Sequence, residues 1–297
     1  MSSMENKLKP FPFIETYALP ILILAMGAAF LVISGGLTSA GIALTDAEYA
    51  ALQEIVTPAE GVELPVVWGD LGKRLVEAGA LDREKWMELY SGLTYEEKRL
   101  LDGSSPEKLH ITRENASYLL NLFWALGLAN KNPILEDKEE MMNAEYGGAR
   151  GFASTGGWTL ARGDSMEHYS AHSLVVLTKE QQALVEKISR GIYRPCCDNS
   201  THFPDCNHGM AMLGLLELMA PQNVSEEEMW DAALAVNSYW FPDTYETIAT
   251  YMKGKGVEWS NVDPQEVLGY DYSSASGFAR IAAEVAPRSG SGASCSV

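Results

Sequence analysis

The chain of 297 residues carries 22 basic and 40 acidic side chains, a formal charge of −18, and 46% of its residues are hydrophobic. That apolar content suffices to bury a sizeable core, and the length suits one large domain or two small ones. The negative field over such a surface repels phosphate backbones, which excludes nucleic acid as a partner.

Residues 1–17 contain Lys7 and Lys9, and no charged residue follows from Ala18 to Leu44. The stretch ALPILILAMGAAFLVI, dense in Leu, Ile, Ala and Phe, predicts one N-terminal transmembrane helix within 18–44, because roughly 20 mainly apolar residues cross the hydrocarbon layer. Lysines before it and Asp46, Glu48, Glu54, Glu60, Glu63 and Asp70 after it place residues 1–17 in the cytoplasm and the body outside, periplasmic or extracellular. The competing reading is a cleaved signal peptide ending near Thr38-Ser39-Ala40. Either way the body is exported; the uncleaved anchor is favoured because the run exceeds a signal peptide's apolar core, which makes the membrane the first expected partner, and no second run of this length suggests a multi-pass protein.

Residues 45–132 read as a helical subdomain. Leu71–Ala78, Asp82–Tyr90 and Thr94–Leu101 show helical spacing of apolar residues, and Thr112 is placed to cap a core helix over Asn115–Ala129. Between 133 and 164 an acidic run gives way to a glycine-rich linker or loop, with short strands or turns expected near 147–160. This stretch lacks both the Lys-Ser/Thr of a phosphate loop and the strand context of a dinucleotide fingerprint. Residues 165–286 form a second helical subdomain. Thr178 to Gln181 is a capping box opening a helix that Gly191 closes, Asn207 is expected to cap a buried helix through Met210–Met219, and Ser225 to Glu228 is another capping box. Trp240-Phe241-Pro242 then breaks the chain before a helix starting at Asp243 or Thr244. The Ser/Gly tail 287–297, with Cys295, has linker composition and is expected to be disordered.

Three of the four cysteines and two of the five histidines fall between Cys196 and His208. Four chemistries suit this loop. Thiolates and imidazoles bind copper or zinc, which makes Cys196, Cys197, His202, Cys206 and His208 candidate metal ligands. His168 and His172, four residues apart and therefore on one face of either a helix or a strand, are possible additional donors. Alternatively Cys206 forms a disulfide with Cys196 or Cys197, as an exported compartment permits, and the protein is a stapled structural or partner-binding envelope component. A third reading is a thiol oxidoreductase, with a thiolate near a helix N-terminus. The fourth is Cys-His nucleophilic catalysis oriented by Asp205 or Asn207. His110 reads as structural, the Tyr239–Phe241 aromatics as core, and Met210, Met212 and Met219 as core fillers.

The order Tyr193-Arg-Pro-Cys-Cys197, His202, Asp205-Cys206, a helix, then the acidic-capped helix at Ser225–Met229 resembles the C-terminal layout of exported proteins named for a P-C-Y-C-G-C motif. The likeness covers about 60 residues; here the cysteines are adjacent and the motif's glycine is missing. It implies an envelope-anchored location and a metal or thiol role, without an activity. The sequence therefore predicts a mainly α-helical extracytoplasmic domain behind one membrane helix, binding a transition metal through its Cys/His cluster.

Overall fold

The structure is a computed structural model and describes residues 41–287. The expected membrane helix lies outside the described residues except for its last four positions, as do the tail and Cys295. No described helix is long and apolar enough to cross a membrane.

The fold is mainly α-helical, as expected. Its longer helices are α1 (Asp46–Val56), α2 (Leu71–Ala78), α3 (Arg83–Leu89), α4 (Tyr95–Asp102), α5 (Ala116–Ala129), α6 (Lys179–Gly191), α7 (Asn207–Met219), α8 (Glu226–Trp240), α9 (Pro242–Gly254) and α10 (Ala275–Ala282). Capping chemistry sets many of the starts. Thr45, Thr94, Thr178 and Ser225 each accept from the backbone N–H three residues on, while Glu48, Glu97, Gln181 and Glu228 return the bond. The cap of α5 is Asn115 rather than Thr112; the two instead bond reciprocally, Thr112 N–H to Asn115 Oδ1 and Asn115 N–H to Thr112 Oγ1. Helix α9 begins on Pro242 itself, whose fixed φ and missing N–H suit the first helical position, so Asp243 and Thr244 lie one and two residues inside it.

The strands are not where the glycine-rich stretch suggested. The single described sheet pairs β1 (Val62–Gly69) with β2 (Ser105–Ile111), antiparallel, Val62 opposite Ile111. In β1, Leu64, Val66 and Trp68 alternate inward, a period of two hidden in the sequence by the apolar Pro65 and Val67 between them. Residues 144–157 instead form tight turns and single helical turns. Gly147 and Gly148 adopt φ of +78° and +73°, conformations that side chains rarely tolerate, and a β-carbon at Gly157 would sit 2.3 Å from Ala153 O.

Helices α5 and α7 form the centre. Both are apolar nearly all round, and every residue of α7 except Asn207 is buried. They cross with backbones in contact: a β-carbon at Gly127 would lie 2.1 Å from Met210 O, and one at Gly214 would lie 2.2 Å from Phe123 O. The helical segments on either side of residues 133–164 thus contribute to one core. The consequence for function is positional. The first turn of α7, which follows the cysteine loop, is anchored on the most buried packing in the molecule.

Candidate metal centre

The loop from Tyr193 to Cys206 leaves α6 and re-enters the core as α7. Its ends are tied down by backbone bonds: Thr201 N–H to Ile192 O at 2.8 Å, His202 N–H to Ser189 O at 3.1 Å, and Tyr193 N–H to Leu268 O at 2.8 Å. The first turn of α10 adds Ala275 N–H to Cys197 O, and Ser276 donates twice to Asp198 Oδ1. From the other side the glycine-rich segment covers the loop. Ser154 N–H donates to Asp205 O, and the rings of Tyr146, Phe152 and Phe203 meet edge to face with centroids 5.2–6.1 Å apart.

Arg194 sits at the middle of the loop. Its side chain is 1% exposed and every nitrogen has an acceptor: Nε on Cys206 Sγ at 3.1 Å, Nη1 on Asn199 O at 2.7 Å, Nη2 on Phe203 O at 3.1 Å and on Asp205 Oδ1. A buried guanidinium requires counter-charge, and here Asp205 and the sulfurs supply it. Burial opposes the charge on Arg194, but Cys206, Cys197 and Asp205 more than offset this, and its pKa is raised. Gly209 makes room for the guanidinium: a β-carbon there would lie 2.6 Å from Arg194 Cζ.

Cys206, not Asn207, is the N-cap of α7, and its sulfur accepts the Gly209 N–H at 3.4 Å. The Sγ of Cys196 lies 3.4 Å from that of Cys206. Cys197 Sγ faces Asp205 Oδ1 at 3.8 Å and Asn199 O at 3.9 Å. Hydrogen bonds from Cys196 and Cys197, the Arg194 charge and His208 hold the Cys206 thiol far below its ordinary range in spite of burial. The same sharing acts in reverse on its neighbours. Cys196 is pushed up by its bonds to Cys197 and Cys206 and by burial, while Cys197, lowered by Cys196 but raised by Cys206 and burial, reaches about 12. The pull toward a thiolate is thus greatest at Cys206, where helix dipole and guanidinium converge.

All three of these cysteines are free thiols, so the disulfide that the loop spacing allowed is not formed. Two groups of donor atoms lie within 4.8 Å of one another: Cys196, Cys206 and His208, and Cys197, Asp205 and Cys206. They share the Cys206 sulfur and can hold a metal ion. His208 is 3% exposed, packed against Phe241 at 4.3 Å between centroids and against Trp240 at 5.8 Å, and its Nδ1 is buried without a hydrogen-bond partner.

Of the seven residues predicted as ligands, four meet in these groups: Cys196, Cys197, Cys206 and His208. His202 belongs to neither; its Nδ1 bonds Glu140 Oε2 at 2.8 Å, tying the acidic run to the loop. His168 and His172 share a face as their spacing implied, but with each other, His168 Nδ1 3.1 Å from His172 Nε2 and His168 Nε2 2.8 Å from Arg162 O. Both nitrogens of His168 are thereby occupied. Burial and the neighbouring ring lower the pKa of His172. His110 is structural as expected, bonded to Glu60 O at 2.6 Å. Asp205 and Arg194 are the two members that the search for metal ligands passed over. A charged residue directly before Pro-Cys-Cys, in a chain with twice as many acids as bases, was the available signal for Arg194.

No protein-family model, curated protein or solved structure matches this chain.

Proposed function

We propose that the protein binds a transition metal ion, zinc or copper, at Cys196, Cys197, Cys206 and His208, with Asp205 as an alternative donor beside Cys197. The observation that carries the reading is the buried, unpartnered His208 Nδ1 on the imidazole beside the Cys196 and Cys206 sulfurs. A buried polar atom left without a partner costs roughly 1–3 kcal/mol, and an ion bound by that ring and the sulfurs removes the cost.

Charge supports the same reading. Three thiolates and a neutral imidazole around Zn²⁺ carry one net negative charge, which the adjacent Arg194, shared with Asp205, partly offsets. Two thiolates on Cu⁺ give the same sum. Arg194, donating to the Cys206 sulfur, is the outer partner that orients a ligand and keeps it deprotonated. Binding would release the protons of Cys196 and Cys197, so affinity should rise with pH.

The uncharged run at 18–44, the charge asymmetry around it and the likeness to the P-C-Y-C-G-C proteins support a membrane-anchored, extracytoplasmic setting, in which the site would serve envelope metal handling or sensing. Cobalt substitution tests the ligand set. Thiolate-to-cobalt charge-transfer bands that weaken stepwise in Cys196→Ser, Cys197→Ser and Cys206→Ser, with ligand-field bands shifted in His208→Ala, are expected. Absence of sulfur-to-cobalt bands in the reduced wild-type protein would remove the reading.

A further inference from the structure

The geometry around Cys206 carries an activity that metal binding alone does not use. We infer that Cys206 is the attacking sulfur of a peroxide-reactive thiol pair, with Cys196 as its resolving partner, and that oxidation of this pair opens the metal site. The second half rests on the metal-binding reading; the first stands without it.

Three observations support the assignment. Two donors, Arg194 Nε–H at 3.1 Å and the Gly209 N–H of the α7 first turn at 3.4 Å, point at one sulfur. Donors aimed at a sulfur favour its thiolate, the nucleophilic form. A second thiol is already in contact: Cys196 Sγ at 3.4 Å. The third sulfur is less directly placed: Cys197 Sγ lies within 4.8 Å of the Cys206 sulfur but turns to Asn199 O and Asp205 Oδ1, whereas Cys196 is in contact. The cysteines are half-buried within a loop pinned on both sides, a setting open to a small oxidant and closed to a bulky one. A hydroperoxide is therefore the substrate class, in preference to a protein disulfide.

The steps balance. The Cys206 thiolate attacks one oxygen of ROOH, the O–O bond breaks, and ROH leaves after taking up a proton, so that Cys206 becomes a sulfenic acid. The Cys196 sulfur then attacks the sulfenic sulfur, its proton leaves with the hydroxyl as water, and a disulfide remains. Peroxide is reduced by two electrons and two thiols are oxidised. Both sulfurs are then lost as ligands, leaving Cys197, Asp205 and His208, a set too weak and too dispersed to retain zinc or copper at the same affinity.

The test uses the reduced full chain in two arms. Metal-free protein is treated with stoichiometric hydrogen peroxide and mapped by mass spectrometry, and zinc-loaded protein is treated in the presence of a colorimetric zinc indicator. Expected are a Cys196–Cys206 cross-link, a fall in free thiols from four to two in a chain with four cysteines, and zinc release in step with thiol loss. Cys197→Ser should still form the cross-link, whereas Cys196→Ser should stop at a sulfenic acid that a dimedone probe captures at Cys206. Arg194→Lys should slow the first step at least tenfold while circular dichroism shows the fold retained. A disulfide through Cys197, or peroxide consumption no faster than by a free thiol, would overturn the assignment. Failure to load zinc with the cross-link still formed would sink the metal reading and leave the thiol pair standing.

Discussion

Replacing Arg194 by Met removes the guanidinium while keeping much of its apolar stem. Four acceptors then lose their donor: the Cys206 sulfur, Asn199 O, Phe203 O and Asp205 Oδ1. Removing one partner of a buried ion pair costs about 3–5 kcal/mol, and each buried carbonyl left unpaired adds roughly 1–3 kcal/mol before relaxation. Asp205 is 19% exposed and Asn199 Nδ2 still bonds its Oδ2 at 2.8 Å, so water and that amide recover part of the loss. The expected destabilisation of the metal-free protein is about 4 kcal/mol, a large share of the 5–15 kcal/mol typical of a folded domain. Arg194→Lys retains the charge but a single nitrogen cannot reach all four acceptors, and about half that loss is expected. Urea unfolding under reducing conditions measures both, and ultraviolet thiolate absorbance reports whether the Cys206 thiol has moved back toward its ordinary pKa. An Arg194→Met protein within 1 kcal/mol of wild type, with its thiolate signal intact, would refute the role given to this side chain.

Further expectations concern the scaffold. Glu217, fully buried on α7, has its pKa raised to about 8 by desolvation, against the bond it accepts from Asn132 Nδ2. The folded protein thus holds a proton that the unfolded chain loses near pH 4.5, so stability should fall as pH rises between those values, by as much as about 5 kcal/mol. Glu217→Gln should abolish that slope and be more stable than wild type at pH 8, as read by denaturation at stepped pH; an unchanged slope would contradict the assignment. Gly127→Ala and Gly214→Ala each set a methyl 2.1–2.2 Å from a backbone carbonyl of the facing helix, and the overpacking cost of about 1–3 kcal/mol or more outweighs the gain of about 1 kcal/mol in helix propensity. Thermal unfolding should show a lower Tm for both; a raised Tm would mean the helices part easily. Glu140→Gln and His202→Ala should loosen the cover over the loop without changing metal stoichiometry, which elemental analysis of each variant decides.

Much of the helical layout was readable because its signals are local. The capping boxes at Thr178 and Ser225 and the all-round apolar α7 each depend on residues within a few positions of one another. The sheet was not readable, since β1 and β2 are joined by pairs from Gly69 and Ser105 out to Val62 and Ile111, far apart in the chain, and Pro65 interrupts the pattern. At the site, proximity in sequence named Cys196, Cys197, Cys206 and His208, which lie in the two donor groups, and His202, which lies in neither, because a loop of that length can turn a side chain either way and Glu140, 62 residues away, captured this one. The N-cap was assigned to Asn207 on residue preference, but the Arg194 bond to the neighbouring sulfur makes Cys206 the stronger acceptor. The glycine-rich stretch showed its turns in sequence, whereas its role as a cover follows from Ser154, Phe152 and Tyr146 meeting residues some 50 positions later.

The most direct test of a Cys/His metal centre is elemental analysis of the reduced full chain purified without chelator, alongside a Cys196→Ser/Cys206→Ser variant. The account predicts about one zinc or copper per wild-type chain, with all cysteines reactive after denaturation and metal removal, and little or none in the variant. Wild-type protein that stays metal-free after incubation with either ion, or a variant that keeps its full complement, would contradict it.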